Sequence, residues 1–315
     1  MRKGMVFLLG LVLLVAVPLP VRGQEGGQFS QEQIDQAAEK IEQSVSGNAQ
    51  VNWTKGYIQA TGEGYPAKWA RDEARKLGSA KEAAKGVAQR NLLEAIKGVV
   101  IDSETTIENQ EIAYDLIKKQ VKGILRGSSI VEDLTSVEEF ADGSMKVSVT
   151  VRMPIYGNGR LADIVQPSAG SGLPSNVRPY RQRPENPFDA AVVPEEVKKP
   201  LSEVYTGLII DTQGLEVRPA IAPQILAENG MEIYGTVFVN RDYAISQGIV
   251  GYAKSLAFAR KMDRVADRPL VVKALKTSGD LKTDVIISLE DAYKIEKLKE
   301  RQTFLHQCRV VFLVD

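Results

Sequence analysis

Apolar and polar positions along this chain follow two different rules, and the rule changes near its middle. In the first half, runs with a helical period alternate with runs of period two. Ser30 and Gln33 form a capping box, and Ile34, Ala37, Ala38, Ile41 and Val45 recur on one face, which predicts an amphipathic helix within residues 24–47. Residues 51–54 and 57–61 read as short strands joined in a tight hairpin at Lys55 and Gly56, and Gly62, Gly64 and Pro66 end the second. From 67 to 98 the pattern is helical, through Trp69, Ala70, Leu77, Ala84, Ala88, Leu92 and Ile96. Gly78 offers a break there, with Ser79 and Glu82 placed to cap a fresh helix. Residues 111–125 predict a second helix with Ile112, Leu116, Ile117, Val121 and Ile124 inward. A longer hairpin follows: 128–137, a turn at Ala141, Asp142 and Gly143, then 145–154, where Val147, Val149 and Val151 alternate with polar residues. The order ββααββ predicts a two-layer α+β domain over 48–165, with helices on one face of an antiparallel sheet.

In the second half the apolar runs become nearly continuous. Residues 205–210, 231–234, 270–274, 284–288 and 309–314 are rich in Val, Ile and Leu, as strands covered on both faces are. Helical patterns occupy 241–247, 252–262 and 290–307. The last helix lies between two strands, and strand–helix–strand reads as a βαβ unit with parallel strands and a right-handed crossover. The C-terminal region, 204–315, is therefore expected to be an α/β domain with a mixed sheet ending in that unit, its last strand near the centre. Between the two regions, 166–203 carries Pro167, Pro174, Pro179, Pro184, Pro187, Pro194 and Pro200 and a Ser/Gly run at 168–172, and reads as a linker. Arg178, Tyr180, Arg181 and Arg183 add a basic-aromatic cluster to it, fit for a solvated linker or a docking peptide.

The N-terminus changes the picture by adding an address. Arg2 and Lys3 precede an apolar run from Met5 to Val17, Pro18 and Pro20 end it, and Val21, Arg22 and Gly23 supply the cleavage positions. This is the three-part pattern of a secretory signal over 1–23, with cleavage expected between Gly23 and Gln24 and a periplasmic destination. No later stretch is long and apolar enough to predict a transmembrane segment. No Cys follows the signal, so no lipid anchor is expected.

Composition then removes function classes. Hydrophobic residues are 43% and charged residues 25%, an ordinary globular balance. Lys+Arg and Asp+Glu are both 40, so there is no basic excess to draw nucleic acid. With 1 His and 1 Cys, the usual ligand sets for zinc or an iron–sulfur cluster are missing, as is a disulfide framework, and no cofactor is expected. No phosphate loop, dinucleotide fingerprint or nucleophile elbow occurs. Cys308, beside the apolar run 310–314, reads as a buried inert thiol, and His306 as a residue closing the last helix. Asp263, Arg264, Asp267 and Arg268 read as solvated ion pairs. Asn52, Trp53 and Thr54 match a glycosylation acceptor inside a predicted strand.

One set of side chains is left as candidate chemistry. Asp211, Ser288, Glu290 and Asp315 all stand at the carboxyl ends of predicted strands, where an open parallel sheet binds its ligands. The same residue types cap helices, as Ser288 and Asp291 are placed to do, so a ligand crevice and simple capping are both open.

The segment Val51-Asn-Trp-Thr-Lys-Gly-Tyr-Ile-Gln-Ala-Thr-Gly-Glu-Gly64, then Ala88-Gln-Arg-Asn-Leu-Leu-Glu-Ala-Ile-Lys-Gly-Val99, Thr105, Val121-Lys-Gly-Ile-Leu-Arg-Gly127 and the Asp142, Gly143 turn, resembles the lipoprotein-20-like (LPP) family. The same module is similar to the N-terminal domain of flagellar assembly protein T. The likeness spans about 48–157, rests on structural glycines, alanines and turns, and implies no catalytic residues. It implies a periplasmic setting among basal-body or outer-membrane proteins. Thr206-Gly-Leu-Ile-Ile-Asp-Thr-Gln-Gly-Leu215 and Val250-Gly-Tyr-Ala-Lys-Ser255 resemble the C-terminal half of exported proteins that carry this module, with no activity implied. Together these observations point to a non-enzymatic envelope protein that binds partners, with an edge strand of the 128–154 hairpin as a docking surface. Two alternatives stand beside it: a small-ligand or cell-wall-binding module using the C-terminal crevice, and a metal-assisted hydrolase.

Overall fold

The computed structural model describes residues 41–46, 48–102, 129–165 and 203–315. The signal segment, most of the first amphipathic helix, the helix expected over 111–125 and nearly all of the linker lie outside the described residues. Within them the protein is α+β, with an antiparallel sheet in the N-terminal half and a mixed sheet in the C-terminal half.

The first sheet begins with a correction. Glu42–Ser46, the tail of the expected amphipathic helix, is strand β1, paired antiparallel with β2 (Ala49–Asn52). An unpaired hairpin edge offers backbone partners along a whole strand, and that outweighs a weak helical period at its end. The hairpin of β2 and β3 (Tyr57–Gly64) forms as expected, with Gly56 at φ 64° in the turn. Asn52 is fully buried and its Oδ1 accepts from Lys55 N at 2.8 Å, so the glycosylation-like triplet closes this turn.

Helix α1 (Glu73–Lys97) starts later than its apolar pattern, because Asp72 is the residue whose side chain accepts from Arg75 N. Trp69 consequently precedes the helix and is 67% exposed. Gly78 does not interrupt α1, since its missing side chain faces open space. A glycine there costs about 1 kcal/mol without breaking the helix. Ser79 ties the preceding loop down, accepting from Ala67 N at 3.0 Å and donating to Lys76 O at 3.0 Å. The helix lies on β3 at backbone contact. A Cβ on Gly62 would come within 2.2 Å of Ala88 N, and one on Gly64 within 2.3 Å of Ala84 N. Ala80, Ala84 and Ala88 are buried against these glycines.

The second hairpin is broken in its first arm. β4 (Ser129–Ile130) gives way to a single 3-10 turn over Glu132–Leu134 before β5 (Ser136–Glu139) resumes. Thr135 Oγ1 donates back to Val131 O at 3.3 Å and holds the turn. β6 (Met145–Pro154) pairs with β3 on one side and with β4 and β5 on the other. A short helix, α2 (Leu161–Val165), closes the domain.

The C-terminal strands are β7 (Gly207–Asp211), β8 (Ile225–Ala227), β9 (Glu232–Tyr234), β10 (Gly251–Ala253), β11 (Pro269–Ser278), β12 (Asp284–Ile287) and β13 (Val310–Leu313). Their order is β10-β13-β7-β11-β12-β8-β9, so β13 lies next to an edge strand rather than at the centre. Helix α3 (Arg241–Gln247) has the expected bounds. The helix expected over 252–262 is instead β10 followed by one turn, α4 (Leu256–Ala259), because Ser255 restarts the chain by accepting from Phe258 N. Helix α5 (Leu289–Lys299) follows β12.

The expected βαβ unit is overturned. β12 runs antiparallel to β11, whereas β11 and β13 both run parallel to β7. β12 and β13 therefore point in opposite directions with β11 and β7 between them. The tight turn after β11, with Gly279 at φ 78° and Lys282 at φ 53°, makes β11 and β12 a hairpin, and a hairpin fixes direction before any crossover can. In β7, Leu208 and Ile210 enter one buried cluster and Ile209 the other, as continuous apolar strands require.

The two halves share one core. Trp53 meets Tyr252 edge-on with centroids 5.8 Å apart, and Tyr252 meets Phe312 at 6.2 Å. Tyr156 is wedged between Gly56 and Gly248, where an added Cβ would sit 2.7 Å and 2.5 Å from its ring. Ile221 N and Ala222 N donate to Val100 O and Ile101 O at 3.1 and 2.7 Å, and Gly157 N to Ile245 O at 2.7 Å. No helix among the described residues is long and apolar enough to cross a membrane.

Candidate functional site

The strand-end residues separate into two pairs. Asp211 and Asp315 are brought together, because β13 and β7 are parallel neighbours with Leu313 opposite Asp211. Both carboxylates are engaged by the following turn. Asp211 Oδ1 accepts from Gln213 N at 3.1 Å, while Asp315 accepts from Gly214 N at 2.9 Å and Glu216 N at 3.3 Å. Gly214, at φ 82°, suits the left-handed backbone this turn needs, and Glu216 is held at φ 53°. Ser288 and Glu290 stand at the other end of the sheet, because β12 is reversed. Ser288 Oγ accepts from Asp291 N at 3.0 Å and donates to Asp291 Oδ2 at 2.8 Å, a helix cap. The four residues do not converge on one crevice. Among the described residues no group of three His, Cys, Asp or Glu could hold a metal ion.

The loop expected to carry solvated ion pairs sends Arg264 inward. Its Nη1 donates to Gly248 O at 3.0 Å and Cys308 O at 2.8 Å, and its Nη2 to Gln247 O. These carbonyls close α3 and the turn before β13, and cations suit such positions. Burial pulls Arg264 below the usual guanidinium range. Cys308, at φ 56°, is buried beside it, and burial pushes its thiol up to about 11. A thiol so placed is protonated and unreactive at neutral pH. The last helix ends at Lys299, so His306 lies in the turn beyond it and does not close it; its carbonyl accepts from Asn240 N at 2.9 Å. Tyr234 OH donates to Ile249 O at 2.7 Å, and Tyr252 OH both donates to Ala220 O and accepts from Ala220 N at 2.8 Å. This polar cluster is saturated by backbone and joins loops.

Among the described residues, two surfaces of the N-terminal sheet are left uncommitted. At one edge, all four residues of β5 are exposed, and Leu134, Val137 and Phe140 are 47%, 48% and 40% exposed. Val137 pairs with the fully buried Val147, so it continues the apolar row of the helix side past its cover. Glu132, Asp133, Glu138, Glu139 and Asp142 make the same stretch acidic without a base between them. Lys81 and Lys146 reach Glu132 and Glu138 at 3.1 and 2.9 Å. At the other edge, a groove of ≈ 400 Å³ is lined by Ser44, Asn48, Ala49, Gln50, Gln59, Ala60 and Thr61. The β5 edge lies on the 128–154 hairpin that the sequence offers as a docking surface, whereas for the groove the sequence held no signal beyond polar alternation in the strands.

No curated protein matches the chain. Residues 207–315 match the family model described as Treponema pallidum Tp0624, second domain. The match begins at the first residue of β7 and takes in all seven strands of the mixed sheet, so the C-terminal domain of this protein is similar to that second domain.

Proposed function

We propose that this chain is an exported envelope protein that works by binding other proteins, with the β5 edge as its docking surface. The observation that carries the reading is that edge. Among the described residues β5 is paired on one side only, and with Leu134, Val137 and Phe140 exposed it presents both backbone groups and apolar side chains to an incoming segment. The three-part leader at 1–23 supports export, and the likeness of 48–157 to the lipoprotein-20-like and flagellar assembly protein T modules supports partners in flagellar or outer-membrane assembly. Neither the crevice reading nor the hydrolase reading has a converging set of side chains among the described residues.

The test is a photoreactive residue at position 137 in living cells, compared with the same residue at the exposed Lys273 of β11. The expected outcome is a discrete crosslinked envelope protein from 137 only, lost when Glu138→Pro removes the strand geometry. Equal labelling at both positions, or retention of the chain in the cytoplasm, would sink the proposal.

A further inference from the structure

The groove at the opposite edge of the same sheet is a different kind of surface. Cross-strand register lays Ser44, Gln50, Gln59 and Arg152 in one row over β1, β2, β3 and β6, with Thr61 and Thr150 paired in the next. A register shift between Ser44 and Ser46 interrupts the β1–β2 ladder beside the groove. Every side chain lining the concavity is a carboxamide, a hydroxyl or an alanine, and none carries charge. Charges on this face lie outside the lining: Arg152 in the same row, Glu42 in the adjacent one, and farther along Lys146, paired with Glu63 and Glu138 at 3.4 and 2.9 Å.

The carboxamide of Gln59 is positioned rather than loose. Its Oε1 accepts from Arg152 Nε at 3.2 Å and Nη2 at 2.8 Å, and the guanidinium lies 4.0 Å over the Tyr57 ring. That arrangement leaves the Nε2 end of Gln59 to donate. Ser44, Asn48 and Gln50 make no side-chain hydrogen bond among the described residues.

We propose that this groove binds a neutral polyhydroxylated ligand, a carbohydrate. Carboxamides and hydroxyls each offer donors and acceptors together, which is what sugar hydroxyls require in return. An ion would shed water here without meeting an unengaged opposite charge, since Arg152 is committed to Gln59 and Tyr57 and Glu42 accepts from Asn52 Nδ2 at 3.2 Å. A volume of ≈ 400 Å³ accommodates a short oligosaccharide segment and falls in the size range of small-molecule sites. Arg152 acts as a positioning residue, because it holds Gln59 without lining the groove. This site is independent of the β5 edge and stands whether or not that edge docks a partner.

The experiment is an NMR titration of the isotopically labelled full chain with the tetrasaccharide of N-acetylglucosamine, and separately with inorganic phosphate. The sugar is expected to give saturable shifts at the Gln50 and Gln59 side-chain amides, and phosphate none. Gln59→Leu, which keeps the volume and deletes the amide, is expected to weaken binding about tenfold, the effect of one well-placed hydrogen bond. Arg152→Met should weaken binding several-fold and broaden the Gln59 amide signal, which a purely structural role would not do. If Gln59→Leu fails to fold, Gln50→Ala on the shorter strand replaces it, with the same expected direction. No saturable shift at the two glutamines, tighter binding of phosphate, or shifts unmoved by both substitutions overturns the proposal.

Discussion

The two halves of this protein handle polar groups in opposite ways. In the C-terminal domain β7 and β13 are buried along almost their whole length, and the polar side chains nearby turn inward to finish the backbone. Asp315 holds the 213–216 turn, Arg264 closes three carbonyls, and Tyr252 spans Ala220. In the N-terminal domain β3 alternates buried and half-buried positions, one face is covered by α1, and the other keeps Gln50, Gln59 and Thr61 facing outward. Saturated polar groups make a scaffold, whereas unsaturated ones on an open sheet face make a surface. The contrast puts the uncommitted polar surface on the N-terminal sheet and not at the C-terminal strand ends.

The sharpest way to break this comparison is at the helix–sheet contact. Gly62→Val is expected to cost about 3 kcal/mol or more, since the new side chain meets α1 backbone that cannot give way, and urea midpoints measure it. Arg264→Met follows, at about 2–4 kcal/mol, because three buried carbonyls lose their donor. Trp53 and Tyr252 place both halves in one core, so hydrogen exchange should rise in both domains in that variant. Separate responses would divide the core in two.

Alkaline pH probes the buried groups with a defined sign. The Cys308 thiol is held protonated in the folded state, raised from 9.0 to about 11 by burial, and Tyr156 is raised from 10.0 to about 12 for the same reason. Their contributions are fully present below about pH 9 and are lost as pH climbs through the folded values, because the unfolded chain gives up its protons first. For Cys308 the full loss is about 2–3 kcal/mol, and Cys308→Ala should flatten the stability curve between pH 9 and 11. The smallest stability effect belongs to the docking edge. Val137→Asp should change stability by under about 0.5 kcal/mol, as exposed positions do, while abolishing partner crosslinking.

Legibility followed the same division. α3, β6 and β7 were readable because their periods are clear and their ends carry Asn240, Gly248, Gly143 and Asp211 as caps and turns. β8 and β10 were not, since each spans three residues and a period needs more. The candidate site was misplaced for a related reason. Asp211 and Glu290 follow strands of similar composition, and composition does not record that β11 and β12 form a hairpin.

Local sequence was enough to outline α3, β6 and β7 and to mark glycine turns such as Gly56 and Gly143. Those are local properties, set by side-chain period and backbone preference within a few residues. Only the tertiary structure decided the direction of β12, the inward turn of Arg264 and the meeting of Gln59 with Arg152. That last pair stands 93 residues apart in the chain. Such neighbours are chosen by register and by the packing of the whole core, which no local period encodes.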